Sequence, residues 1–495
     1  MKRPNLVMIL IDDLGWADLG CFGSSFYETP NLDRLAKGGL RFTDAYASCP
    51  VCSPTRASLM SGQYPARVGI TNYIAGNAWG KLMGVPYFHE LPRTVTALPE
   101  VLKGGGYATY HVGKWHLGET PEHWPQAFGF DVNIAGCGKG HPYKGYFSPY
   151  DLDNLENGPE GEFLTDRLTD EAVALLERHN ADGEAAGQPF FLNLAHYTVH
   201  TPLQAPPELI AKYEAKAKAM GIDQDSVVEE RELMPALHLS TQGRRITQRT
   251  VQSHPVYAAM VETMDRSVGR IVETLEALGV LDDTLIVFSS DNGGLATGEG
   301  SPTCNAPLRE GKGWIEEGGN RVSQIAHWPA VIEAGRITAE PTTTPDLFAT
   351  LIEAAGQPLP ADTEIDGVSL MPVLKGETFE RGAIFWHYPH YSNQGGVPSC
   401  SIRKGRWKLS EYFEDGRQTL FDVVNDPGEA TDRFAAEPGV ASTLHAELVA
   451  WRASIEAKIP EPNPYYDEMV SGRMRAPDGM GLIDGKPVPI PGSDH

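Results

Sequence analysis

NLVMILIDD, residues 5–13, is an apolar run that ends in two aspartates. Similar apolar runs recur along the chain, and segments with helix-start signals separate them. Short apolar runs fit strands buried on both faces, and strands alternating with helices are typical of a parallel sheet covered by helices. The sequence therefore predicts a doubly wound α/β fold, with strands at residues 5–11, 107–112, 189–194, 284–289 and 323–328.

The chain also divides into regions of different character. Residues 376–460 contain short alternating segments and Gly or Asn-Asp-Pro turns, which predict a smaller antiparallel sheet followed by a helix at 443–458. The tail, residues 461–495, is dense in Pro and Gly and is predicted to lack regular structure. Residues 1–375 would form the large domain, in which the charged segment 211–253 lacks a strand pattern and is interpreted as an insertion.

Composition limits the possible partners. The chain has 495 residues, and 41 Lys and Arg against 65 Asp and Glu give a formal charge of −24. A chain of this length can bury a large core. Its negative charge disfavours nucleic acid and anionic membranes as partners.

The apolar runs are too short for a membrane span, and residues 1–16 lack a signal-cleavage pattern. Six cysteines are too few for a disulfide framework. We expect a cytoplasmic protein, or a periplasmic one if a signal peptide was removed; a homodimer is one possible assembly.

Two of the predicted strands end in oxygen-bearing side chains. Asp12 and Asp13 follow the first strand, and Asp291 and Asn292 follow the strand at 284–289. Ligand sites in open α/β sheets form at the carboxyl ends of the strands, and a set of hard oxygen donors favours Ca²⁺ or Mg²⁺. The alternative is that one pair caps a helix and the other forms a turn.

Cys49 and Cys52 form a C-x-x-C motif, which by itself suggests thiol–disulfide exchange. The residues that follow indicate a different chemistry, because CSPTRASLMSGQYPAR at 52–67 is the sulfatase signature. Further segments occur in the order found in that family: DDLGWADLGCFG at 12–23, GKWHLG at 113–118, VHTP at 199–202, SDNGG at 290–294 and LREGKGWIEEGGNRV at 308–322. Over about residues 4–410 the sequence resembles the type I sulfatases of the alkaline phosphatase superfamily, especially bacterial carbohydrate sulfatases and arylsulfatase A-like enzymes.

The resemblance implies a large, mostly parallel sheet between helices, with a smaller C-terminal antiparallel sheet. It implies that a maturation enzyme converts Cys52 to formylglycine, whose hydrate attacks sulfur with one hydroxyl and expels sulfate with the other. Arg56 would hold this diol, and the start of the helix after Cys52 would face the anion. The implied Ca²⁺ ligands are the four strand-end residues, Asp12, Asp13, Asp291 and Asn292.

Four more residues match the active site of the family. Lys114 would bind sulfate and His116 would take the proton that starts sulfate elimination. His200 would protonate the leaving oxygen, with His196 as a rival for that role, and Lys312 would clamp the sulfate. Outside this context such lysines are ordinarily solvated and such histidines are ordinary hydrogen-bonding residues.

Substrate contacts are expected from loops around the same sheet edge. Candidates are Trp79 in loop 72–88, His141 in loop 137–150, and His387 and His390 in the small domain. Ordinary loop packing is the alternative for each. The sequence departs from the commoner GGKG pattern of the family at 310–313, where Glu310 stands near the sulfate clamp.

These observations predict a calcium- and formylglycine-dependent sulfuric ester hydrolase that acts on a sulfated carbohydrate. A phosphonate or phosphate monoester hydrolase of the same superfamily is an alternative. A non-catalytic sugar- or calcium-binding protein with unmodified Cys52 is another, and a thiol-disulfide exchanger is the last.

Overall fold

Two sheets of unequal size organise the chain. The computed structural model describes residues 3–76, 79–182, 187–224, 226–236, 243–467, 480–483 and 486–489. In chain order the strands are β1 Asn5–Ile11, β2 Leu40–Tyr46, β3 Ala108–Gly113, β4 Val132–Ile134, β5 Phe190–Ala195, β6 Val228–Leu233, β7 Arg245–Arg249, β8 Thr284–Ser290, β9 Arg321–His327, β10 Arg336–Thr338, β11 Thr342–Thr343, β12 Ile384–Tyr388, β13 Ser399–Lys404, β14 Trp407–Tyr412, β15 Gln418–Asp422, β16 Met480–Ile483 and β17 Lys486–Pro489. The helices are α1 Pro30–Gly38, α2 Cys52–Ser61, α3 Pro65–Val68, α4 Leu98–Gly104, α5 Leu164–Ala181, α6 Pro207–Ala219, α7 Pro255–Ala277, α8 Glu317–Asn320, α9 Thr344–Ala354, α10 Met371–Lys375 and α11 Pro438–Ser454.

The large sheet has the order β10-β2-β9-β8-β1-β5-β3-β4, with β11 also paired to β2. Strand β9 runs antiparallel to both its neighbours, and the other pairs in this sheet are parallel. In β1, Val7, Ile9 and Ile11 pack on the side of α1, α5 and α7. The alternating residues Leu6, Met8 and Leu10 pack on the opposite side, with α2, α4 and α9. Helices therefore cover both faces, which explains the unbroken apolar run and confirms the predicted fold.

The small sheet has the order β12-β13-β14-β15 and is antiparallel throughout. Helix α11 covers one face through Leu444 and Leu448. The other face packs against the large domain, where Trp386 lies 5.2 Å from the ring of Tyr46. The predicted small C-terminal sheet is thereby confirmed.

Three regions differ from the sequence expectations. The charged segment 211–253 contains the antiparallel pair β6–β7, which the sequence pattern missed. The predicted helix at 443–458 begins earlier and is Pro438–Ser454. The tail pairs β16 with β17, so the expected lack of regular structure is wrong for those residues; 468–479, 484–485 and 490–495 lie outside the described residues.

The six cysteines all carry free thiols. Within the described ranges, no helix combines the length and the apolar character that crossing a membrane requires.

Candidate active site

Four neighbouring parallel strands, β3, β5, β1 and β8, bring their carboxyl ends to one edge of the large sheet. The segments that follow these strands are joined by backbone hydrogen bonds. The Lys114 amide donates to the carbonyl of Ala195 at 2.7 Å, and the Asp291 amide donates to that of Ile11 at 3.0 Å. Side chains from four distant parts of the sequence therefore meet at one place, as the general rule for open α/β sheets requires.

Helix α2 presents its first residue, Cys52, to this edge. The amide groups of a first helical turn lack intrahelical partners and carry partial positive charge, which suits an anion. Burial raises the pKa of the Cys52 thiol above its usual value. The pKa of Cys49, which is fully buried, is raised for the same reason. Two buried thiols of raised pKa do not fit thiol–disulfide exchange, which needs a thiolate.

Three buried cations pair with the three strand-end carboxylates. The Nζ atom of Lys114 lies 2.6 Å from Asp12 Oδ2, and that of Lys312 lies 2.8 Å from Asp13 Oδ2. Arg56 Nη2 lies 2.8 Å from Asp291 Oδ2. Arg56 also donates to the carbonyl of Lys114 at 2.9 Å. These pairs hold the cations beside Cys52 in fixed positions.

Two histidines in the site are neutral. The Nδ1 atom of His116 lies 3.4 Å from Cys52 Sγ, and burial together with the charges of Lys114 and Arg56 holds the pKa of His116 well below its usual value. The pKa of His200 is well below its usual value as well, because the ring is buried and Lys312 is close. Since His200 Nδ1 donates to the Thr201 carbonyl at 2.7 Å, its Nε2 accepts from Lys312 Nζ at 3.0 Å.

The strand-end oxygens fit a hard cation. Asp12 Oδ1 and Asn292 Oδ1 are buried, and neither has a hydrogen-bond partner among the described residues. The pKa of Asp12 is raised by its burial and by the nearby carboxylates of Asp291 and Asp13, although Lys114 lowers it. Unpartnered buried oxygens within a group of carboxylates are the donor set that Ca²⁺ prefers. Asp12, Asp13, Asp291 and Asn292 could therefore hold a metal ion.

A cavity of about 340 Å³ opens over Cys52. Its wall is formed by Val51, Cys52, Tyr73, Ile74, Ala75, His116, Gly140, His141, Tyr143, His200, Thr201, Glu299, Lys312, Asn393 and Gln394. His141, one of the predicted substrate contacts, belongs to this wall and stacks on His200 with the ring centres 5.6 Å apart. The rival His196 does not line the cavity; its Nε2 bonds Ser267 Oγ at 2.8 Å, and burial lowers its pKa to about 4.

The other three predicted substrate contacts, Trp79, His387 and His390, lie outside the cavity wall. Trp79 is buried, and Leu82, three residues later, forms an antiparallel β-bridge with Pro462. His387 is on β12, and its Nε2 bonds the Lys458 carbonyl at 2.8 Å. His390 is buried and bonds Thr71 Oγ1 at 2.8 Å. All three side chains are buried within the protein.

The sequence analysis did not single out several polar or aromatic residues of the wall, among them Tyr73, Tyr143, Glu299, Asn393 and Gln394. Asn393 and Gln394 belong to the small domain and follow β12, the strand that carries His387. Glu310 is not in the cavity wall, and its carboxylate pairs with Arg231 of β6 at 2.6 Å.

The chain resembles known sulfatases over most of its length. A family profile described as "Sulfatase" matches residues 4–357, and one described as "N-sulphoglucosamine sulphohydrolase, C-terminal" matches residues 311–454. A sulfatase from Formosa agariphila is 31% identical over 528 residues, covering 91% of this chain and 89% of the relative. The N-acetylgalactosamine-6-sulfatase of Homo sapiens is 33% identical over 476 residues, covering 86% of this chain and 81% of the relative.

Among solved structures, the crystal structure of Ps i-CgsB in complex with k-i-k-neocarrahexaose matches with a TM-score of 0.73 and 30% identity, covering 96% of this chain and 98% of that one. The fold, with its buried group of paired cations and carboxylates, thus defines a hydrolase with the alkaline-phosphatase-like architecture. The chain belongs to the sulfatase family and is a sulfuric ester hydrolase.

Proposed function

We propose that the protein removes sulfate from a carbohydrate, with Cys52 converted to formylglycine by a maturation enzyme and with Ca²⁺ held by the four strand-end residues. The observation that carries the proposal is the position of Cys52. It is the first residue of a helix, beside three buried cations and two neutral histidines, and it lines a cavity open to substrate.

The cations bind and orient the sulfate group. Lys114 and Lys312 are almost completely buried, and each is paired with a carboxylate, so their ammonium groups are fixed before substrate arrives. Fixed positive groups stabilise the charge that develops on sulfate oxygens as the ester bond breaks. Calcium, when bound, withdraws electron density from a sulfate oxygen and favours the deprotonated nucleophile.

His116 is suited to accept a proton at residue 52. Its Nδ1 lies 3.4 Å from Cys52 Sγ, and its low pKa keeps the ring neutral. Formylglycine, once formed, supplies a hydrated aldehyde whose two hydroxyls divide attack and sulfate release into two steps. Arg56, one helical turn after Cys52, is ion-paired with Asp291, and this pair anchors the first turn of α2.

His200 is suited to the leaving oxygen. His200 lines the cavity, and its Nε2 accepts a hydrogen bond from Lys312 Nζ at 3.0 Å. In this tautomer Nε2 carries no proton, so we propose that the ring takes one up from solvent when substrate binds and passes it to the oxygen of the leaving alcohol, while Lys312 keeps its proton and clamps the sulfate.

A carbohydrate substrate is supported by two independent features. The relatives include an N-acetylgalactosamine-6-sulfatase and a structure holding k-i-k-neocarrahexaose. The cavity wall also combines aromatic rings with carboxylate and amide groups, which together suit the C–H face and the hydroxyl edge of a sugar.

The test begins with protein made together with a maturation enzyme. Mass spectrometry of the tryptic peptide 42–56, which holds both Cys49 and Cys52, should find the aldehyde at residue 52 and a thiol at residue 49. Sulfate release should then be measured from monosulfated galactoses, from 4-nitrocatechol sulfate and from a matched phosphate monoester.

Two variants complete this test. Cys52→Ala should fold and lose activity by about a thousandfold or more, whereas Cys49→Ser should remain active. Two intact thiols with no turnover despite maturation would favour a binding protein instead. Faster turnover of the phosphate ester would favour a phosphoester hydrolase.

A further inference from the structure

One wall of the cavity is a short loop with an unusual backbone. Four consecutive residues have positive φ: Gly298 at 66°, Glu299 at 46°, Gly300 at 90° and Ser301 at 44°. Glycine tolerates this conformation, but Glu and Ser adopt it only at a cost in free energy. Strain of this kind persists where surrounding structure enforces it, and it is concentrated at functional sites.

The inserted hairpin enforces the conformation of the loop. The Gly298 amide donates to the carbonyl of Thr247 at 3.0 Å, and Thr247 Oγ1 lies 2.9 Å from Ser301 Oγ. Arg249 Nε donates to the Ser301 carbonyl at 2.7 Å. Both Thr247 and Arg249 belong to β7, so the hairpin β6–β7 holds both ends of the loop that presents Glu299 to the cavity.

Glu299 is an exposed residue and, among the described residues, has no balancing ion pair. Gln394 Nε2 donates to its Oε1 at 2.6 Å. Within the described ranges no Lys, Arg or His nitrogen forms an ion pair with it, whereas Asp12, Asp13 and Asp291 in the same site each have one. The pKa of Glu299 is raised because protein displaces water around it, and Lys312 partly offsets this effect. Its remaining oxygen is free to accept hydrogen bonds from a ligand.

An aromatic ring lies on another part of the cavity wall. Tyr143 is 62% exposed, although it is a large aromatic residue, and its ring meets that of His141 edge to face at 4.4 Å. An exposed aromatic ring suits the C–H face of a sugar. The cavity therefore offers one surface for the face of a ring and another, carrying Glu299 and Gln394, for hydroxyl groups.

We propose that Glu299 is a specificity-determining residue, which accepts hydrogen bonds from hydroxyls of the sulfated sugar and excludes a second anionic substituent next to the scissile sulfate. The inference rests on the proposed function and narrows it to sugars that carry one sulfate and otherwise neutral groups at this edge. A carboxylate accepts well from hydroxyls, but a sulfate or carboxylate placed beside it is repelled and offers no donor.

The experiment compares three substrates with the matured enzyme and with Glu299→Gln. The substrates are the monosulfated galactose that the wild type hydrolyses best among the 2-, 4- and 6-sulfates, galactose 4,6-disulfate, and 4-nitrocatechol sulfate, which has no sugar hydroxyls. In Glu299→Gln, the ratio of kcat/KM for the monosulfated sugar to that for the aryl sulfate should fall by about tenfold or more. The preference of the wild type for one sulfate over two should also shrink.

Glu333→Gln is the control, because Glu333 is an exposed glutamate outside the cavity wall, with no ion pair among the described residues. It should change turnover of all three substrates by the same factor. An unchanged ratio in Glu299→Gln would overturn the proposal, whether activity on the sugar and on the aryl sulfate falls equally or not at all. An aldehyde-bearing wild type that hydrolyses the aryl sulfate but none of the sugars would overturn the carbohydrate assignment as well. Failure on every substrate would overturn the proposed function itself.

Discussion

The position of His116 depends on a glycine that touches its ring. A Cβ atom added at Gly140 would lie 2.7 Å from His116 Cε1 and 2.8 Å from its Nε2. The imidazole is rigid, so it would have to leave its present position beside Cys52. We expect Gly140→Ala to lower kcat for 4-nitrocatechol sulfate by about a hundredfold, because a displacement of about 1 Å in a catalytic group has an effect of that size.

The control for this prediction is Gly439→Ala in α11, where the added Cβ meets no atom within 4 Å. This variant should keep wild-type kcat. Thermal unfolding of both variants should show that each is folded. Full activity in Gly140→Ala would mean that catalysis does not depend on where His116 lies.

The spacing of residues identified the charged centre but not the wall around it. Cys52, Lys114 and Lys312 stand in short motifs whose residues come together because each motif follows a strand or starts a helix at one sheet edge. No local pattern marks Glu299 or Gln394, whose positions depend on a hairpin and on the small domain. Residue patterns predict what a segment forms, whereas a cavity wall depends on which segments meet.

At the scale of elements, the ends of β1 and β8 form the candidate metal site. Binding of Ca²⁺ to the folded state alone would raise the free energy of unfolding by about 2.7 kcal/mol at a concentration a hundred times Kd. Asn292→Ala removes one unpartnered buried oxygen and should reduce this gain. Asn292→Asp adds a further carboxylate, so it should be less stable than wild type in EGTA and gain more from calcium.

The measurement is the thermal midpoint in EGTA and in excess CaCl₂. Asn193→Ala is the matched control, because Asn193 is another buried asparagine with an unpartnered Oδ1, but it lies within β5 and bonds His111 at 3.0 Å. It should lower the midpoint equally in both conditions. A wild type that does not respond to calcium, or an Asn292→Asp protein that responds less than wild type, would contradict the site.

The elements differed in how well the sequence predicted them, and burial explains the difference. Strands β1 and β8 are buried on both faces, so their apolar runs marked their limits closely. Strands β6 and β7 form a separate two-stranded ribbon, and residues of β6 such as Glu229 and Glu230 are exposed. A ribbon with so little apolar alternation resembles a charged loop in sequence, which is why the insertion was recognised but its hairpin was not.

At the scale of the whole molecule, buried histidines couple stability to pH. Burial lowers the pKa of His111 and His390 to about 3 and that of His387 to about 4. Unfolding returns each ring to its usual value near 6.5. The unfolded chain therefore binds more protons below that pH, and these groups lower the free energy of unfolding as the pH falls from about 6.5 towards 4. Asp265 and Glu429 act in the opposite direction, since their pKa values are raised to about 6 and about 7.

Because these contributions oppose one another, a single substitution is the clean test. His390→Gln removes one titrating ring at its hydrogen bond with Thr71. Between pH 7 and pH 5 the wild type should lose about 2 kcal/mol more free energy of unfolding than this variant, as one ring with so low a folded pKa requires. The measurement is urea unfolding at the two pH values. Thr71→Val removes the same bond without removing the ring, so it should lose as much as wild type; equal losses in all three proteins would mean that His390 is protonated in the folded state.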